Sequence, residues 1–134
     1  MGAHKYIRDS FRKSAHERPE HLRLRIRNWA KKTVIARAEK PTITARARAL
    51  GYKATKDYAV VRIRVKRGNR VRPAPRMGRK PGKNVKRVSP GFPLSRIAEM
   101  RAAKTHTNMR VIGCYLAGKD GVNAYYEVIL KVKD

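Results

Sequence analysis

Apolar residues change their spacing several times along this chain, and each change marks the start of an expected element. Leu22, Ile26, Trp29 and Ala30 fall at i, i+4, i+7 and i+8, one helical stripe with Arg23, Arg27, Lys31 and Lys32 off it. Leu22, Leu24 and Ile26 also alternate with Arg23, Arg25 and Arg27 as a strand would, but the helical period is the one that continues through Trp29. Pro19 and Glu20 suit the first turn of that helix, and a shorter helix is expected ahead of it within residues 1–32. Residues 33–37 read as a short strand ending before the Glu39-Lys40-Pro41 break. Thr42 or Thr44 is placed to cap a short helix over 45–50 that stops at Gly51.

The clearest strand covers 58–67, where Val61, Ile63 and Val65 point one way and Arg62, Arg64 and Lys66 the other, so one face packs and the other is a row of cations. Residues 68–91 are rich in proline, glycine and basic side chains and hold too few large apolar residues to build a core. Ser95 is expected to cap a helix running to about 104, with Ile97, Ala98 and Met100 near one face. Two closing strands, 110–117 and 124–132, flank residues 118–121, whose Asp120-Gly121 pair is a hairpin-turn signal; Tyr126, Val128, Leu130 and Val132 form the expected buried face. The order strand, helix, strand, helix, strand, strand behind an N-terminal helix predicts an α+β fold. Its sheet is small and mostly antiparallel, its helices cover one face, and it carries a long basic loop.

No apolar run approaches the length of a membrane span; 58–61 is among the longest. The first thirteen residues already carry several charges and no apolar signal core, so a cytoplasmic protein without a membrane partner is the default expectation. Cys114 is the single cysteine, which excludes an internal disulfide and reads as a small packed residue. The nine carboxylates show no paired spacing, and His4, His16, His21 and His106 show no metal-ligand spacing, so neither catalysis nor a metal nor a cofactor nor a small-molecule substrate is expected. Residues 78–84 look superficially like a phosphate-binding P-loop, but the glycine spacing is one short and Asn84 stands where Ser or Thr is required.

Charge changes this picture most. The 134 residues, enough for one domain, carry 35 Lys and Arg against 9 Asp and Glu, a formal net charge of +26. Residues 58–98 hold 13 of the cations and no acid, whereas 103–134 hold five cations against three acids. Such an imbalance calls for a polyanion, because phosphate neutralisation relieves self-repulsion and releases condensed counterions. The candidate nucleic-acid contacts are Arg48, Tyr52, Lys53, Arg62, Arg64, Lys66, Arg67, Arg70, Arg72, Arg76, Arg79, Lys80, Lys83, Lys86 and Arg87. If about 6 to 10 of them meet phosphates, affinity falls roughly 10³- to 10⁵-fold between 50 and 200 mM salt. Of the aromatic residues among the cations, Tyr6, Phe11, Trp29, Tyr58 and Phe92 are expected mostly in the core, and Tyr52, between Gly51 and Lys53, is the one expected to reach a base or ribose. An architectural, chromatin-type DNA-binding protein is the competing reading of the same charge, although neither a major-groove helix nor a minor-groove wedge is evident.

The most specific block runs from Leu50-Gly51-Tyr52-Lys53-Ala54 to Arg62-Ile63-Arg64-Val65-Lys66-Arg67-Gly68-Asn69-Arg70-Val71-Arg72-Pro73. With Lys5-Tyr6-Ile7-Arg8, Pro41-Thr42, Gly78-Arg79-Lys80-Pro81, Ser89-Pro90, Ile97-Ala98-Glu99, Arg110-Val111 and Tyr126-Glu127-Val128-Ile129, it resembles the e-type large-subunit ribosomal protein 15 family of archaea and eukaryotes over nearly the whole chain. The Gly78-Arg79-Lys80-Pro81 stretch with Ser89-Pro90 is more similar to the archaeal branch. The resemblance implies an architectural, non-enzymatic component of the cytoplasmic ribosome whose partners are large-subunit rRNA and neighbouring ribosomal proteins. On that reading 1–134 is one rRNA-binding domain: 1–32 a helical extension, 33–67 and 92–134 the core, and 68–91 an RNA-contacting loop that folds on its partner. Thr55-Lys56-Asp57 replaces the family's usual Lys-Gln-Gly, and family members usually continue beyond the position of Asp134 into a basic tail.

Overall fold

The computed structural model describes residues 2–68, 74–83 and 90–133. Helices α1 (Ala3–Glu17) and α2 (Glu20–Lys31) lead into strand β1 (Ile35–Ala38), helix α3 (Thr44–Ala49) and strand β2 (Tyr58–Lys66). Two 3₁₀ turns, Pro75–Gly78 and Pro81–Lys83, precede helix α4 (Leu94–Thr105) and the long strands β3 (Met109–Lys119) and β4 (Asn123–Val132). The fold is α+β, and its four strands form one antiparallel sheet in the order β1-β2-β4-β3. β4 therefore lies centrally, paired to β2 on one side and to β3 on the other.

Central placement buries β4 on both of its sides. Tyr126, Val128, Leu130 and Val132 were expected to be the only buried side of the last strand, but Tyr125, Glu127 and Ile129 on the opposite side are fully buried, and Val132 at the strand end is exposed. Helices cover both faces of the sheet rather than one. α4 lays Ala98 and Ala102 on Val61, Ile63, Val65, Val128 and Leu130. On the other face, Trp29 of α2 and Ala47 of α3 pack with Tyr115, Ala117, Tyr125 and Ile129. A strand buried on both faces reads as a near-continuous apolar run, which is what 124–130 shows apart from Glu127.

Other boundaries shift for local reasons. The first helix is the longer of the N-terminal pair, and it ends where Arg18 adopts a left-handed φ of 48°. Residues 21–27 are helical, settling the two competing periods in favour of the one that reaches Trp29. Neither Thr42 nor Thr44 caps α3: the N-cap is Ile43, and the Thr42 hydroxyl is taken by Glu127. Pro93 rather than Ser95 precedes the first turn of α4. β3 continues through Gly118 and Lys119, leaving Asp120, Gly121 and Val122 to make the turn. Gly118, at an irregular register after Leu116, lets α2 approach the sheet, because a Cβ there would stand 3.2 Å from both Ile26 and Trp29.

Candidate nucleic-acid interface

β2 carries its cations on the face away from α4, but they do not form an open row. Arg62 lies directly across the sheet from Glu127, which in turn pairs with Tyr115 on β3. The Glu127 carboxylate is 0% exposed, yet both oxygens are satisfied. Oε1 accepts from Arg62 Nη2 at 2.7 Å, Arg62 Nε at 3.1 Å and the Thr42 hydroxyl at 2.6 Å. Oε2 accepts from the Thr42 amide at 2.8 Å and from the Tyr115 hydroxyl. The Arg62 guanidinium stacks 4.1 Å from the centre of the Trp29 ring, and its side chain is only 12% exposed. Burial and the Glu127 charge push the Tyr115 hydroxyl far above its ordinary pKa, so it stays a proton donor. Arg62, predicted as a phosphate contact, is thus spent inside the protein.

Its neighbours on the strand differ. Arg64 donates from Nη1 to the Ala30 carbonyl at 2.6 Å, and Arg67 donates from Nη1 to the Asp120 carbonyl at 2.7 Å. Arg101 on α4 donates in turn to the Arg64 carbonyl at 3.2 Å. A carbonyl orients a guanidinium without cancelling its charge. The ion pairs among the described residues are Arg8–Asp9, Lys13–Glu17, Arg62–Glu127 and Arg96–Glu99, and none of them involves Arg64, Lys66, Arg67 or Arg101. Arg101 was not among the sequence candidates, since it belongs to an ordinary amphipathic helix; only the packing of α4 beside β2 brings it to the same site.

The remaining candidates are scattered. Arg48 is exposed on α3, as is Arg46, and Lys53 is exposed in the turn after Gly51, whose φ of +93° suits glycine. Tyr52 is half-buried, packed edge-on against Tyr58 at 6.1 Å. Arg76, Arg79 and Lys80 are exposed along the 3₁₀ segment, where Arg76 and Met77 take left-handed φ values of 53° and 54°. Lys83 ends the second turn, and Arg70, Arg72, Lys86 and Arg87 lie outside the described residues. Two aromatic residues expected in the core are outside it: Tyr6 is 70% exposed and Phe92 is 56% exposed. Trp29 is core as expected.

Cys114 sits half-buried beside Ser95, its thiol pushed up to about 12 by burial and then by Glu99, which leaves no reactive thiolate at neutral pH. No group of three His, Cys, Asp or Glu able to hold a metal occurs among the described residues, and none of the described helices is long and apolar enough to cross a membrane.

Comparison with known proteins places this charged scaffold in a family. The family model described as Ribosomal L15 matches residues 2–132. The large ribosomal subunit protein eL15 of Nanoarchaeum equitans (strain Kin4-M) is 41% identical over 131 residues, a stretch covering 97% of this chain and 68% of that protein. A match of this extent and identity, running through both sheet faces and the cationic segment, shows that this chain belongs to the eL15 family of ribosomal proteins, of the archaeal type.

Proposed function

We propose that this protein is a structural constituent of the large ribosomal subunit that binds and compacts large-subunit rRNA through arginine and lysine contacts to phosphate. The observation that carries this reading is the set of cations at the end of β2 and on α4 that are oriented by backbone carbonyls while keeping their charge. Guanidinium groups held this way present their remaining N–H donors to phosphate oxygens at little further entropic cost. Phosphates from separate RNA segments repel one another, and a protein surface at +26 lets them approach. The role is architectural rather than enzymatic, at home in the cytoplasmic ribosome during translation, with rRNA and neighbouring large-subunit proteins as partners.

Reversing two of these charges together, Arg64→Glu with Arg67→Glu, tests it. In gradient sedimentation of cell lysate, the unaltered chain is expected to travel with the large subunit through a high-salt wash, and the double variant to remain at the top. Normal incorporation of the variant, or stronger binding of the unaltered chain to duplex DNA than to folded rRNA at equal phosphate concentration, overturns the reading; the second result favours an architectural DNA-binding protein.

A further inference from the structure

Where β2 ends, the β3–β4 hairpin tip and the start of α4 leave a groove of about 1030 Å³ between them. Its walls are apolar: Phe92 and Val122, 56% and 63% exposed, stand on it together with Leu94 and Ile97. Large apolar side chains so open to water on a chain this hydrophilic mark a contact surface. Its rim is cationic: Arg67 and Arg101 line the groove with Arg64 and Lys66 at its β2 edge, and among the described residues no acidic side chain does. The carboxylates nearest in sequence are turned elsewhere: Asp120 accepts from the Val122 and Asn123 amides and the Tyr125 hydroxyl, and Glu99 accepts from Arg96 Nη1 at 3.1 Å.

We propose that this groove receives a single unpaired nucleotide of RNA, its base against Phe92 and Val122 and its flanking phosphates on Arg67, Arg101 and Lys66. The proposal rests on the RNA-binding reading above and makes it specific. Aromatic rings and guanidinium planes both stack on splayed-out bases, and single-stranded bulges are where proteins contact base faces in RNA. A paired helix presents its backbone and base edges while its base faces stay stacked, and so cannot fill an apolar slot. Charge selects the occupant: an apolar peptide would fill the walls but leave the cations beside them, Arg67 and Arg101 foremost, without a counter-charge, whereas a nucleotide supplies a flat π-face and phosphate charge in one unit.

The full chain is titrated with two RNA hairpins of equal length, one fully paired in its stem and one carrying a single bulged 2-aminopurine. The bulged hairpin is expected to bind roughly 5- to 100-fold more tightly, with a change in 2-aminopurine fluorescence on binding. Phe92→Ala, at an exposed position whose truncation leaves the core intact, is expected to abolish that preference without changing affinity for the paired hairpin or the salt dependence. Equal affinity for the two hairpins overturns the slot while leaving the RNA-binding reading in place. So does a preference that survives Phe92→Ala combined with Val122→Ser. Binding to neither hairpin at low salt overturns both.

Discussion

Arg62 and Arg64 are the same residue on the same side of one strand, two positions apart, and the protein uses them in opposite ways. Across the sheet Arg62 meets Glu127 and Arg64 meets Tyr125. The first guanidinium is buried, neutralised and stacked on Trp29; the second keeps its charge and leans on a carbonyl at the edge of a cationic groove. What separates a buried, neutralised arginine from an accessible, charged one here is not spacing along the strand but the residue that register places opposite. The contrast breaks most sharply at Glu127. Glu127→Ala leaves the Arg62 guanidinium, the Thr42 amide and the Tyr115 hydroxyl without their acceptor, and is expected to destabilise the fold by roughly 3–5 kcal/mol in urea unfolding. RNA affinity measured while the variant is still folded is expected to change little. Converting Arg62 and Glu127 together to Met and Leu is expected to recover much of the lost stability, because the buried charge is then gone as well.

Next in size is the seat on which Trp29 rests. Gly118→Val puts branched carbon where a Cβ alone would stand 3.2 Å from Ile26 and Trp29. Displacing α2 from the sheet is expected to cost roughly 1–3 kcal/mol in stability, seen as a lower Tm, and to weaken the Arg62–Trp29 stack. The groove built from α4 and the hairpin lies across the sheet from α2 and is expected to keep its preference for an unpaired base, with overall RNA affinity lowered only through the Ala30 carbonyl that orients Arg64. Parallel loss of both would show that the two sites are not independent.

The fold was legible wherever one period dominated. The alternation in β2, the helical stripe through Trp29 and the Asp120-Gly121 turn all correspond to elements of the structure. Burial was harder to read. The run over 124–130 is apolar on both sides of the strand, which signals a central strand covered by helices on both faces, but attention to Tyr126, Val128 and Leu130 alone suggests a one-sided sheet. The lone Glu127 within that run was the available sign of a buried ion pair; its partner Arg62 lies 65 residues away, and only the β2–β4 register joins them. Aromatic residues favour cores, but Gly91 and Pro93 on either side hold Phe92 in a bend before α4, on the exposed wall of the groove rather than in the core. Arg101 and Arg64 are likewise neighbours only after the chain has folded.

A smaller effect separates the two arginines directly. Arg64→Gln removes one accessible charge, so the slope of log affinity against log salt for folded rRNA is expected to fall by about 1. Arg62→Gln is expected to leave that slope unchanged while lowering Tm. Identical slopes for the two variants would mean that the buried guanidinium reaches RNA after all, and the distinction drawn from their partners would fail.

The smallest expected effect concerns the hairpin tip that carries Val122 and holds Arg67 through the Asp120 carbonyl. Burial alone would raise the Asp120 carboxyl, but hydrogen bonds from the Asn123 amide, the Tyr125 hydroxyl and the Val122 amide outweigh it and hold the group below the usual carboxylate range. A depressed folded-state pKa stabilises the protein at pH values above the unfolded value of about 3.9. That contribution shrinks as pH falls from there and is gone once pH passes below the folded-state value. Asp120→Asn lacks the titrating group, so its Tm is expected to drop less than that of the unaltered chain between neutral pH and about pH 3. The Val122 and Asn123 amide resonances of the unaltered chain are expected to shift over the same acid range. Those shifts tie the turn geometry to one carboxylate, and because Val122 is a wall of the groove, acid that releases Asp120 should also blunt any preference for an unpaired base. Retention of that preference below the Asp120 transition would place the wall's rigidity in the β3–β4 ladder rather than in the turn.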